Sequence, residues 1–421
     1  MNTSFIEELR WRKMLHNITP GVEEFLASDP RKGYIGFDPT ADSLGVGNLV
    51  QIMMLVHFQR AGHEPVALLG GATGMIGDPS FKAEERKLLS KEVLNDNLSS
   101  QRLQIDKLLN NSAIILDNND WFRNFNFLDF IRDVGKHITV NYMLAKDSVK
   151  SRQDSGISFT EFSYQLIQAF DFHFLSKNKE ICLQMGGSDQ WGNITTGIEL
   201  NRRMGGKNSY AITTPLIKKA DGTKFGKTEG GNIWLDPKRT SPYKFYQFWL
   251  NSSDEDSGDY IRIFTTKSKT KIEEIEEKHF KEPHLRILQK ELALDVTKRV
   301  HSFEAANNAI KTSEILFGKG TTEMLKDLSE NDLLDVFSGV PIINVSLESL
   351  NPGISIMNLV TANTSLFKSR GEAKKLIQAG AVSINKSKVS LDDLITRTDF
   401  LKEKYIVVQK GKKNYALVIL E

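Results

Sequence analysis

The stretch YIGFDPTADSLGVGNLVQIMML, residues 34–55, opens like a strand, turns through Gly, Asp and Pro, and enters a helix whose start carries two glycines around one valine. A strand, a glycine-rich turn and a helix N-terminus in that order make an anion site, because free backbone N–H groups and the positive helix end converge on one point. Glycine pairs at helix starts also serve packing alone, and this stretch by itself leaves both readings open. Two nucleotide sites fall away. The spacing is not G-x-G-x-x-G, with no acidic residue where a dinucleotide ribose needs one, and it is not a Walker A loop.

Outward from this stretch, the first half of the chain alternates β-branched runs with amphipathic helical patterns, the signature of a parallel α/β sheet. KGYIGFD, PVALLGG, AIILD, ICLQMGG and YAITTPLI are the expected strands. In the helix after the opening turn, Leu49, Ile52, Met53, Val56 and Phe58 form an apolar stripe. FLDFIRDVGKHI and SFTEFSYQLIQAFDFHFL read as a helical insertion between the third and fourth strands, of the kind that supplies a dimer surface. After about Thr228 the strand signals stop. SPYKFYQFWL, KIEEIEEKHF, HLRILQKELALDVTKRVHSF and EAANNAIKTSEILF are helix-patterned and predict an all-helical domain. GVPIINVSLESLNPG reads as a Pro/Gly-punctuated linker. The tail pairs two helices with short strands, with KGKK as a hairpin tip.

Composition bounds the function. A chain of 421 residues, 40% hydrophobic and 26% charged, is long enough for several domains and has no apolar run that could span a bilayer. MNTSFIEELRWRKML lacks the apolar core of a secretory signal and reads as a first helix. The single cysteine, Cys182, forbids an internal disulfide, and the chain reads as cytoplasmic. The net charge of +2 is unevenly spread: Ile354–Glu421 carries twelve Lys/Arg against six Asp/Glu. A basic tail fits either a solvated charged face or a polyanionic partner such as nucleic acid.

KKADGTKFGKTEGG, residues 218–231, bears on the opening turn. Lys224 and Lys227 stand three apart in a loop rich in glycine, directly after the last expected strand. Glycines let such a loop close, and two ammonium groups neutralise charge developing on a leaving polyphosphate. Paired with an anion-binding turn, the loop is better read as functional than as an exposed basic stretch.

These residues carry a resemblance. DPTADSLGVGNL resembles the His-x-Gly-His signature of class I aminoacyl-tRNA synthetases, and KFGKT resembles their Lys-Met-Ser-Lys-Ser loop. YIGFDPTADSL, GGATGMIGDPS, SFTEFSYQLIQAFDF, QMGGSDQWGNI and KADGTKFGKTEGG are similar to bacterial-type tyrosyl-tRNA synthetases over nearly the whole chain, and SLFKSRGEAKKLIQAGAVSINKSKV resembles an S4-type RNA-binding module. The resemblance implies a Rossmann-like catalytic domain with its insertion at 1–228, a helical tRNA domain at 229–330, a linker at 331–353 and an S4-like domain at 354–421.

It also implies roles. Tyr34 and Asp171 would meet the hydroxyl of L-tyrosine, and Asp78, Tyr164 and Gln168 its ammonium; Tyr164, Gln168 and Asp171 recur on one helix face. Gln190 would contact the reacting carboxyl group and Asp189 the ATP ribose, with Gly36, Asp38 and Gly47 on the nucleotide side. Thr40, Lys224, Lys227, Thr228 and the helix N-terminus would handle the phosphates, with Mg²⁺ arriving on ATP and no protein-held metal. Lys368, Arg370, Lys374 and Lys375 would meet tRNA(Tyr) phosphates, and a homodimer without membrane attachment is implied. The chain departs from the family pattern at Gly45 and Asn48, which replace the two signature histidines. Asn can still donate a hydrogen bond; Gly45 offers only its backbone. A bond to a charged group is worth about 1.5–3 kcal/mol, so the loss predicts activation slowed about ten- to a hundredfold. The alternative is an RNA-binding paralogue weakened or lost in catalysis; a tryptophan-specific relative is disfavoured by Tyr34 and Asp171. His57, His63, His137 and His173 read as surface or helix-capping residues, Cys182 as core, and Trp121, Trp191, Trp234 and Trp249 as packing.

Overall fold

In a computed structural model of the chain, residues 4–80, 88–150, 156–228, 231–317, 322–337, 340–350, 352–361, 367, 369–411 and 414–421 are described. They sort into two compact units, Met1–Thr240 with Phe248–Val300, and Ser241–Gln247 with His301–Glu421.

In the first unit the five expected strands form: β1 (Lys32–Phe37), β2 (Glu64–Leu69), β3 (Ile114–Asp117), β4 (Leu183–Gly187) and β5 (Tyr210–Thr214). They pair in the order β3-β2-β1-β4-β5, every pair parallel. Strand order reverses between β1 and β4, so a crevice opens beyond their carboxyl ends. The helix Val46–Arg60 follows β1, and its predicted stripe is buried, but Val50, Met54, Leu55 and His57 are buried too. The stripe is therefore nearly a full cylinder. Leu49, Ile52, Met53 and Phe58 have no exposed surface, and burying each contributes about 1.5–3 kcal/mol.

The helices Phe127–Asp133, Val140–Leu144 and Phe159–Lys179 lie in the chain between β3 and β4. The last is capped by Ser158, whose side chain accepts from the Glu161 N–H, and ends where Glu180 turns left-handed at φ 60°. Its Phe172 and Leu175 join Tyr34, Val66 and Leu68 in one apolar cluster. The insertion leaves an apolar groove lined by Phe125, Phe127, Phe130, Ile131, Val140 and Phe159.

Two expectations need correction here. Strand structure continues past Thr228: β6 (Lys227–Thr228) pairs antiparallel with β7 (Gly231–Asn232). The helix Asp254–Phe264 went unread, because its acidic first turn and Gly258 mimic a loop. The Ser253 cap on the Asp256 N–H and burial of Tyr260, Ile261, Ile263 and Phe264 hold it. The histidine reading also fails in part: His57 and His173 are 2% and 4% exposed, His57 within the field of nearby arginines and His173 bonded to Asn201. Burial pushes the His57 imidazole well below its usual range, and Arg12, Arg60 and Arg299 push the same way. Cys182 is buried, as expected of core.

In the second unit, residues 331–353 are more than a connection. They include strand β8 (Ile342–Val345), which runs parallel to the chain's last strand. The tail contributes β9 (Ile354–Ser355), β10 (Val382–Ile384), β11 (Ser387–Lys388), β12 (Leu394–Ile395), β13 (Tyr405–Lys410) and β14 (Asn414–Leu420), in a five-stranded sheet β11-β10-β13-β14-β8 and a small pair β12-β9. β13 and β14 make the expected hairpin, Lys410 opposite Asn414; Lys412 and Lys413 at its tip lie outside the described residues. Ile343, Ile356, Leu359, Ile377, Ile406 and Val418 lie in its core.

Candidate active site

A cavity of about 290 Å³ opens at the carboxyl ends of β1 and β4. Its lining brings together Tyr34, Gly36, Asp38, Thr40, Gly47, Asn48, Asp78, Tyr164, Gln168, Asp171, Asp189 and Gln190, drawn from strand ends, the Val46–Arg60 helix and the Phe159–Lys179 helix.

Its closed end is polar inside an apolar wall. The Tyr34 hydroxyl and the Gln168 Oε1 are buried and find no hydrogen-bond partner among the described residues. An unpaired buried hydroxyl costs about 1–3 kcal/mol, and it is offset when a ligand of matching polarity enters. Asp171, 2% exposed, is held from two sides: Asn118 Nδ2 donates to Oδ2 at 3.0 Å and Trp121 Nε1 to Oδ1 at 2.9 Å. Burial raises its pKa to about 8, against the pull of these two donors and with help from the charges of Asp38 and Asp117. Burial and the neighbouring Asp171 likewise push the Tyr34 phenol well above its usual range.

Midway along the cavity the Tyr164 hydroxyl donates to Asp38 Oδ2 at 2.8 Å, and Thr73 Oγ1 donates to Asp38 Oδ1 at 2.8 Å. Gly70 has no side chain because a Cβ there would fall 2.1 Å from Asp38 Oδ1. Gln190 Nε2 donates to Asp78 Oδ2 at 2.7 Å, and Asn193 contacts the same carboxylate. Carboxylates and neutral acceptors gathered in this way suit an ammonium group.

The open end is backbone. Around Gly36 and Gly47 the Cβ direction is empty for 4 Å, so a planar group can lie against the main chain there. Gly45 caps the helix at φ −95°, a conformation any residue adopts, and its N–H donates to Asn48 Oδ1 at 3.1 Å. A Cβ at residue 45 would meet only ordinary contacts, the nearest being Ile233 O at 3.4 Å. The glycine is therefore not demanded by the fold. The exposed Lys224 and Lys227 are not brought to the cavity wall, nor is Gly45; Thr228 lies in β6, its side chain outside the described residues. In the tail, Arg370, Lys374 and Lys375 are exposed on the helix Arg370–Gln378, and Lys368 lies outside the described residues.

Asn118, Trp121, Thr73, Gln51 and Gln184 escaped the sequence reading. Trp121, read as packing, is a donor to Asp171 as well. A signal existed: Asn118 follows β3 directly and Thr73 stands in the turn that follows β2, and the carboxyl ends of parallel strands are where sites gather.

Residues 27–318 match the family described as tRNA synthetases class I (W and Y), and residues 332–418 match the Tyrosine--tRNA ligase SYY-like C-terminal domain. The Tyrosine--tRNA ligase of Cytophaga hutchinsonii is 57% identical over 422 residues, 99% of each chain, and that of Bacteroides fragilis 55% identical over 99% of each. Among solved structures, a C-terminally truncated mitochondrial tyrosyl-tRNA synthetase of Aspergillus nidulans superposes with a TM-score of 0.68 at 29% identity, covering 75% of this chain and 94% of that one. The chain belongs to the class I tRNA synthetases of the tryptophan and tyrosine type. Within that family, the relatives it matches over their whole length are named for tyrosine.

Proposed function

We propose that the closed end of the cavity selects L-tyrosine and the open end activates it with ATP. The chain is a tyrosine–tRNA ligase: it forms tyrosyl-adenylate and pyrophosphate, then passes the tyrosyl group to the 3′ end of tRNA(Tyr). The observation that carries the substrate assignment is that the Tyr34 hydroxyl, which finds no partner among the described residues, shares the buried end with the doubly held Asp171. A phenol entering there satisfies both groups. Phenylalanine leaves them unpaired, a discrimination that reaches about 10⁴–10⁵ in such sites.

Asp78, Tyr164 and Gln168 receive the ammonium, and Gln190, which donates to Asp78 in the free protein, turns toward the reacting carboxylate. That carboxylate attacks the α-phosphorus of ATP and pyrophosphate leaves; the terminal ribose hydroxyl of the tRNA then attacks the tyrosyl carbonyl and AMP leaves. No side chain serves as nucleophile. Positioning and charge stabilisation supply the rate. Asp189 takes the ribose, Gly36, Asp38 and Gly47 flank the base and sugar, and Thr40, Asn48, Lys224, Lys227 and Thr228 take the phosphates. ATP enters as its magnesium complex. Arg370, Lys374 and Lys375, with Lys368, receive tRNA phosphates in the S4-like part, and residues 229–330 the anticodon side.

The exposed Phe127, Leu128, Val140 and Phe159, each more than half accessible, suit a second copy of the chain and hence a homodimer. No described helix is long and apolar enough to cross a membrane; one cysteine and a tRNA substrate support a cytoplasmic setting. The whole-length match supports the enzyme over the paralogue that has lost catalysis.

Pyrophosphate exchange into ATP tests the assignment. Exchange that requires tyrosine and is at least about a hundredfold weaker with phenylalanine supports it; wild-type protein without tyrosine-dependent exchange overturns it.

A further inference from the structure

The loop that carries Lys224 and Lys227 is fastened at its centre by a side chain that is not part of the cavity lining. The ring of Phe225 lies 5.4 Å from Phe264 at 18°, 5.0 Å from Tyr260, 5.7 Å from Phe248 and 5.9 Å from Trp249. We propose that Phe225 is a positioning residue for the activation step: its aromatic socket sets where the two flanking lysines stand relative to the start of the Val46–Arg60 helix. The inference rests on the ligase reading above and goes beyond it, because Phe225 belongs to no phosphate, ribose or tyrosine contact assigned there.

The socket is firm. Trp249 and Phe264 have no exposed surface and Tyr260 is buried. The helix Asp254–Phe264, which carries two of its walls, is tied down past its C-terminus by the buried Arg12, whose guanidinium donates to the carbonyls of Thr265 at 2.9 Å and Lys267 at 2.8 Å. Near its N-terminus the same helix holds the loop's base, Asp256 Oδ1 accepting from the Ala220 N–H at 2.8 Å.

From the socket a short chain of contacts leads to the site helix. Gly226, next to Phe225, is left-handed at φ 80°, and a Cβ on it would fall 2.7 Å from Val46 Cγ2. Its carbonyl accepts from the Ile233 N–H, and the Ile233 carbonyl accepts from the Val46 N–H, both at 3.0 Å. The lysines therefore flank a point clamped between two rigid surfaces. A lysine stem has four rotatable bonds, so most of the certainty about where its ammonium lies must come from its backbone. Phe225 supplies that certainty.

The test is a double-mutant cycle in tyrosine-dependent pyrophosphate exchange. Phe225→Ala is expected to lower kcat about ten- to a hundredfold with the KM for tyrosine unchanged, and Phe225→Met, which can refill the socket, to recover most of it. In a background in which Lys224 and Lys227 are both changed to Ala, the same Phe225→Ala change is expected to cost less than about twofold, because a side chain that acts through the two lysines then has nothing left to position. An equal fold-loss in both backgrounds, or a loss carried by the tyrosine KM, overturns the proposal and leaves Phe225 as packing only. If Phe225→Ala does not fold, Phe225→Leu enters the same cycle with the same two outcomes. Absence of exchange in the wild type instead overturns the ligase reading itself.

Discussion

The two ends of the cavity are built in opposite ways. At the closed end, proposed above for tyrosine, Asp171 is gripped by Asn118 and Trp121, and the buried Tyr34 hydroxyl finds no partner among the described residues. At the open end, proposed above for the triphosphate, the wall is main chain, two glycines leave open space, and Lys224 and Lys227 stand outside the cavity lining, exposed on a loop. The difference follows from what each end must do. Rejecting phenylalanine requires fixed polar groups in a dry pocket, whereas pyrophosphate must both be stabilised and leave, which suits exposed cations on a separate loop.

The largest effect should come from the closed end. Asp171→Ala is expected to lower kcat/KM for tyrosine by about a thousandfold or more while erasing the preference over phenylalanine; exchange assays with both amino acids read this. A variant that still rejected phenylalanine would place discrimination elsewhere. At the open end, Lys227→Ala should cost about a hundredfold in kcat with the tyrosine KM intact, and a rise in that KM instead would mean the two ends are not separable.

Gly45→His runs the other way. Residue 45 has ordinary backbone geometry and room for a Cβ, so the variant should fold and gain about ten- to a hundredfold in activation rate. An unchanged rate, measured by exchange, would show that Asn48 and the loop already supply what the imidazole would.

A separate effect concerns pH. Asp171 titrates near 8 in the folded protein against 3.8 for the ordinary carboxyl. From about pH 4 to pH 8 the unfolded chain has released this proton and the folded one has not, so ligand-free stability falls as pH rises through that window and is fully present below it. Urea midpoints at pH 5 and pH 8 should show a decline that Asp171→Asn reduces; equal declines in both proteins would clear Asp171 of the effect.

Much of this was legible beforehand, and the exceptions share a cause. The five strands announce themselves by β-branched runs, and the chemistry-bearing residues of the cavity lie in motifs a few residues long. Three features did not announce themselves. The helix Asp254–Phe264 hides behind Gly258 and an acidic start, yet it is the wall against which Phe225 stacks. Strand β8 resembles a linker, because its parallel partner is the last strand of the chain. Trp121 resembles a packing residue, because the carboxylate it serves lies 50 residues away.

The sequence by itself determined the parallel α/β order, the glycine-rich turn before a helix, the lysine loop and the basic tail. Each is encoded by periodicity or composition inside one short window, where local propensity and charge suffice. Tertiary structure decided that Asn118 and Trp121 meet Asp171, that the helix stripe becomes a buried cylinder, and that Phe225 stacks in a socket built by residues further along the chain. Those outcomes depend on which surfaces exclude water together, and burial is a property of the whole packed chain.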